Sequence, residues 1–133
     1  LHNNCIFYRE TALCGTRGWF YDPTDPAAGD EKVFRRELIR LEASLSAAEQ
    51  QKPGCEKFCF LHYPPILAGG RPYEVREITA LLRRYGVSRC YYGHLHGESL
   101  RAAFSGERDG IRYQVVSADH LRFQPLLVLP SCY

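Results

Sequence analysis

The chain of 133 residues carries 17 basic and 15 acidic side chains, a formal net charge of +2, and 45% hydrophobic residues. So small and dispersed a charge gives no nucleic-acid-binding signal and argues against an anionic membrane surface as partner, while the apolar content suffices for one core. No apolar run approaches the ~20 residues that span a bilayer, and no signal peptide is visible, so the expected location is the cytoplasm.

In chain order, Cys5-Ile6-Phe7-Tyr8 and Thr11-Ala12-Leu13-Cys14 read as an antiparallel pair turning at Arg9-Glu10, after which 15–19 leaves as a loop. The Pro- and Gly-containing stretch 22–29 cannot continue a regular element and is expected to be an exposed excursion. Asp30 is a candidate N-cap for a helix running to about Gln51, with Phe34, Leu38, Leu41, Leu45 and Ala48 as its core stripe. Arg35, Arg36 and Arg40, interleaved with Glu37 and Glu42, read as its solvated face. Pro53-Gly54 ends that helix, and Cys55 to Leu61 forms a strand. Pro64-Pro65 forces an extended loop. A second helix is expected from Tyr73 to Tyr85, with Val75, Ile78, Leu81, Leu82 and Tyr85 inward and Gly86 closing it. Ser88 to Tyr92 follows as a strand, giving a βαβ-like order. Segments 111–118 and 121–129 read as later strands, broken near Asp119-His120. Cys5, Cys14, Cys55, Cys59, Cys90 and Cys132 form no C-x-x-C pair, and buried, reduced thiols are expected.

Gly93-His94-Leu95-His96-Gly97 carries the chemistry. In extended backbone, residues two apart point to one face about 7 Å apart, so two imidazoles can meet one ion or serve two ions roughly 3.5–4 Å apart. His62 stands at the end of an earlier apolar strand, followed by Tyr63-Pro64-Pro65. A single strand-end histidine is more often structural. Three of them, placed where ligands bind in α/β sheets, point to a metal hydrolase. Arg17, between Thr16 and Gly18, is either a bidentate phosphate ligand or a surface arginine paired with a carboxylate. Tyr63 either lines a pocket or fills the gap beneath the di-proline turn. Trp19 reads as packing, His2 as solvent-facing, and His120 as a pocket residue or a structural one.

Leu61-His62 together with Gly93-His94-Leu95-His96 resembles the last two motifs of the calcineurin-like metallophosphoesterases. Gly15-Thr16-Arg17-Gly18-Trp19, His62-Tyr63-Pro64-Pro65 and Ser117-Ala118-Asp119-His120-Leu121 are similar, more narrowly, to a bacterial branch of predicted phosphohydrolases. The resemblance implies a partial α/β/β/α layered sandwich, with residues 1–133 as its C-terminal part, a mixed sheet and two main helices. It also implies two divalent ions (Mn, Fe or Zn), with His62 and His94 on one and His96 on the other, and a phosphoester substrate. The family's earlier motifs, D-x-H, G-D-x-x-D and G-N-H-[DE], are absent: Asp22 and Asp25 precede prolines, and no histidine follows Asn3-Asn4. The bridging carboxylate and the general acid are therefore expected from an N-terminal half, in this polypeptide or in a partner chain, and the chain alone should bind metal weakly and be nearly inactive. Two other readings compete. One is a non-enzymatic binding module retaining half of the fold, and the other a mononuclear zinc hydrolase using His62, His94 and His96.

Overall fold

The computed structural model describes residues 1–20, 30–68 and 73–128. The excursion expected over 22–29, Cys132 and the last residue of the strand expected over 121–129 lie outside them. Strands β1 (Ile6–Tyr8) and β2 (Thr11–Thr16) form the expected antiparallel pair. β2 runs two residues further than the sequence reading, through Gly15 and Thr16, because β3 (Glu56–Leu61) pairs with it in parallel along its whole length. Gly15 is required there: a Cβ would meet the Phe60 carbonyl oxygen at 2.1 Å, and its N–H donates to Ser44 Oγ at 2.9 Å.

Helix α1 (Glu31–Gln51) follows the capping logic, with the Asp30 carboxylate accepting from the Lys32 and Val33 N–H groups at its start. Phe34, Leu41, Leu45 and Ala48 are buried as the stripe requires, and Leu38 is partly buried against the same core. Glu37 departs from the solvated face assigned to it. It is 2% exposed, accepts from Thr16 Oγ1 at 2.7 Å and pairs with Arg40 at 2.6 Å. The reason is geometric, since position 37 lies three residues after Phe34 and turns toward the end of β2.

Past β3 come the short strands β4 (Ile66–Leu67) and β5 (Tyr73–Glu74), which pair as an antiparallel ribbon. Helix α2 therefore begins later than expected and spans Arg76–Arg84, because Tyr73 and Glu74 are held by β4. Gly86, at φ 65°, closes it as expected. Strand β6 (Val87–Tyr92) lies parallel to β3. A 3-10 turn (Gly97–Ala102) leads to the hairpin of β7 (Gly106–Arg108) and β8 (Ile111–Val115). Asp109 (φ 52°) and Gly110 (φ 76°) make that tight turn. The six-stranded sheet runs β1-β2-β3-β6-β8-β7. Residues 121–128 form no strand, contrary to expectation. The chain turns there instead: the Leu121 and Phe123 N–H groups donate to the Ser117 and Ala118 carbonyls, and Arg122 and Phe123 stand at φ 52° and 57°.

Cys14, Cys59 and Cys90 stand in register across β2, β3 and β6, in the same core as Leu41 and Leu45 of α1 and Ile78 and Leu82 of α2. Both helices thus cover one face of the sheet. The described cysteines are free thiols, buried at all positions but Cys5. The opposite face carries Phe58, Phe60 and Tyr91, with the Arg89 guanidinium 5.0 Å above the Phe58 ring. The architecture is mixed α/β, and no helix among the described residues is long and apolar enough to cross a membrane.

Candidate metal centre

The central parallel strands β2, β3 and β6 end together at their carboxyl edge, where Thr16 lies opposite Leu61 and Leu61 opposite Tyr92. Backbone hydrogen bonds tie the segments just beyond this edge to one another. The His62 and Tyr63 N–H groups donate to the Arg17 carbonyl at 2.9 and 3.0 Å, and the Gly93 N–H donates to the His62 carbonyl at 3.2 Å. This places two of the three candidate histidines side by side, with His62 Nε2 3.1 Å from His94 Nδ1. Their rings are 5.0 Å apart and both are exposed.

His94 reaches that position through an uncommon backbone. Its φ is 70°, and the Leu95 N–H donates to the Gly93 carbonyl at 2.8 Å, closing a γ-turn about His94. Such a turn is rare and strained for a residue with a Cβ, and strain of this kind collects at functional sites. Partial desolvation, followed by the neighbouring His62 and His96, holds the His94 imidazole below its usual pKa, which favours the neutral form that binds metals.

His96 is held separately. Its Nδ1 lies 2.9 Å from Asp119 Oδ1, and that carboxylate also accepts the Gly97 N–H at 2.8 Å and the His120 N–H at 2.9 Å. The Gly97 N–H first, and then His96, keep the Asp119 carboxyl below the ordinary carboxylate range. An ionised Asp119 only accepts, so it favours a proton on His96 Nδ1, the arrangement by which carboxylates orient metal-binding histidines. The sequence places Asp119 at the break between strands and within the segment Ser117-Ala118-Asp119-His120-Leu121, with no role of its own. Nothing in the spacing of two residues 23 apart signals the pair, which forms because the chain turns after β8.

Two imidazole nitrogens bound to one ion at about 2.0–2.1 Å stand roughly 2.8–3.4 Å apart for ligand angles between square and tetrahedral. The His62–His94 separation matches two positions of such a sphere. The same approach is a hydrogen bond, one ring donating to the other. Among the described residues no group of three His, Cys, Asp or Glu side chains could hold one ion. His96 is drawn to Asp119 rather than to the His62–His94 pair.

The second-tier residues divide. The Arg17 guanidinium approaches Glu37 Oε1 at 3.6 Å and lies 4.7 Å over the Trp19 ring, so the carboxylate pairing is the one observed, with the side chain 50% exposed. Tyr63 packs against Trp19, His62 and His94, with ring centroids 4.7, 4.9 and 4.4 Å away. It also lines a cleft of about 310 Å³ beside His94, walled by Phe20, Pro64, Leu67, Tyr73 and Leu95. Trp19 packs, as expected, and His2 is exposed. His120 is exposed, with its backbone N–H on Asp119.

Compared with known protein families, curated proteins and solved structures, the chain matches none.

Proposed function

We propose that this chain forms part of a metal-dependent phosphoesterase of the calcineurin-like kind, built on a layered α/β sandwich. The observation that supports this most is the 3.1 Å approach of His62 Nε2 and His94 Nδ1 at the carboxyl edge of adjacent parallel strands. In this reading His62 and His94 hold one divalent ion and His96, oriented by Asp119, contributes to a second. Bound ions of this type bind and polarise phosphoryl oxygens and lower the pKa of water. The chain's own part is to keep His94 neutral, to fix the His96 proton on Nδ1, and to shield one side of the site with Tyr63 and Trp19. Among the described residues no further carboxylate joins these histidines into a three-ligand group.

A second reading has an observation of its own. Because no three ligand-type side chains converge among the described residues, a non-enzymatic binding module of the same fold also accommodates the geometry. Cobalt titration of the full chain separates the two. The phosphoesterase reading predicts saturable visible absorption from histidine-bound Co²⁺ that is lost in both His62→Ala and His94→Ala. An unchanged cobalt spectrum in both variants, or no binding at millimolar Co²⁺, would favour the binding module.

A further inference from the structure

The cleft beside His94 has walls that the two-ion chemistry does not need. Phe20, Leu67, Tyr73 and Leu95 present ring and aliphatic surface, and Tyr63 lines the same cleft in contact with both histidines. Tyr63 is held on several sides: its ring meets Trp19 at 72° and Phe20 at 61°, both edge-on, and tilts at 45° against His94. A ring fixed in this way is a rigid wall, which lowers the cost of ordering on binding. His94 lines the cleft and also contacts His62, so the apolar space is continuous with the proposed metal pair.

Resting on the phosphoesterase reading, we propose that this cleft receives the organic group of the substrate and selects phosphate esters of aromatic or compact apolar alcohols. Volume and polarity both carry the choice. At about 310 Å³ the cleft is about twice the ~150 Å³ cavity that accepts benzene, room for one or two rings. It reaches the lower end of the range for small-molecule sites. A sugar or peptide group would bring hydroxyls and amides against apolar walls, and polar groups left without partners there oppose binding. A phenyl group loses no hydrogen bond and gains aromatic contacts with Tyr63 and Phe20.

The test uses the full chain in Zn²⁺ sufficient to saturate the imidazole NMR shifts of His62 and His94. Phenylphosphonate, methylphosphonate and 2,3-dihydroxypropylphosphonate are titrated as non-hydrolysable probes. Phenylphosphonate should bind at least tenfold more tightly than either of the others and should shift the Leu95 and Leu67 methyl resonances. The variant Leu67→Asn, which places an amide in the wall, should reduce that preference. Zn²⁺ shifts at both histidines combined with equal affinity for the three probes would overturn the cleft assignment alone. Absence of any Zn²⁺ shift would overturn the phosphoesterase reading, and this assignment with it.

Discussion

At His94 the γ-turn and the ring-to-ring contact oppose one another. The left-handed backbone costs about 1 kcal/mol or more for a side chain with a Cβ, and glycine relieves it. Elsewhere the turn has no need of an imidazole, so the histidine is best understood through what its ring can hold. A pair of substitutions separates the two contributions. His94→Ala keeps the strained backbone and loses the ring, whereas His94→Gly loses both. We expect the glycine variant to be more stable than the alanine variant by about 1 kcal/mol in urea denaturation, with both variants losing cobalt binding. An alanine variant as stable as the glycine variant would remove the argument from strain. The histidines themselves were legible in the sequence, because G-H-x-H between glycines and a histidine at a strand end carry their own spacing. Asp119 was not, since its role depends on a tertiary turn that no local pattern encodes.

Among the elements, α1 was legible almost to the residue. Asp30 caps it, and the alternating steps of three and four place Phe34, Leu41, Leu45 and Ala48 in the core. The same period passes through positions 37 and 44, and there a reading by residue type fails. Glu37 and Ser44 are buried polar groups whose partners, Thr16 and the Gly15 N–H, lie on β2. Glu37 also joins Arg40 and approaches Arg17, so it braces the loop whose carbonyl accepts from His62 and Tyr63. Removing it strands the Thr16 hydroxyl, while both arginines can turn to water. Glu37→Ala should therefore cost about 2 kcal/mol. Glu42→Ala, which breaks an exposed pair with Arg84, should cost less than about 1 kcal/mol. Chemical denaturation of the two variants checks this, and equal losses would contradict the bracing role. The β7–β8 hairpin went unread although Asp109-Gly110 is a known hairpin signal. The strand expected over 121–129 fails because hydrophobicity alone does not supply a neighbour to pair with.

On the scale of the molecule, the core concentrates groups that resist ionisation. Burial raises the Cys14 thiol from 9.0 to about 12, with Cys59 and Cys5 adding to the shift. Burial likewise raises the Tyr92 phenol from 10.0 to about 12, and the hydrogen bond its oxygen accepts from the Phe104 N–H offsets that shift only in part. Both groups are acids whose charged form is disfavoured in the folded state. Their contribution to stability is thus complete below about pH 9 and is lost as pH rises toward 12. Stability measured by urea denaturation should be flat from pH 7 to 8.5 and fall steeply above 9, with a shallower fall in Cys14→Ala. A pH-independent stability up to 11 would contradict the buried-thiol account. This row of thiols also bears on the metal proposal, because a soft ion offered to an unfolded chain would find cysteine before histidine.

The claim that matters most is that one ion takes both His62 and His94, and X-ray absorption at the zinc edge of the folded, zinc-loaded chain tests it directly. Shared coordination predicts nitrogen and oxygen neighbours at about 2.0–2.1 Å with the outer-shell pattern of two imidazoles, reduced to one in His94→Ala. Zinc surrounded by sulfur at about 2.3 Å, or an imidazole pattern unchanged by His94→Ala, would contradict it.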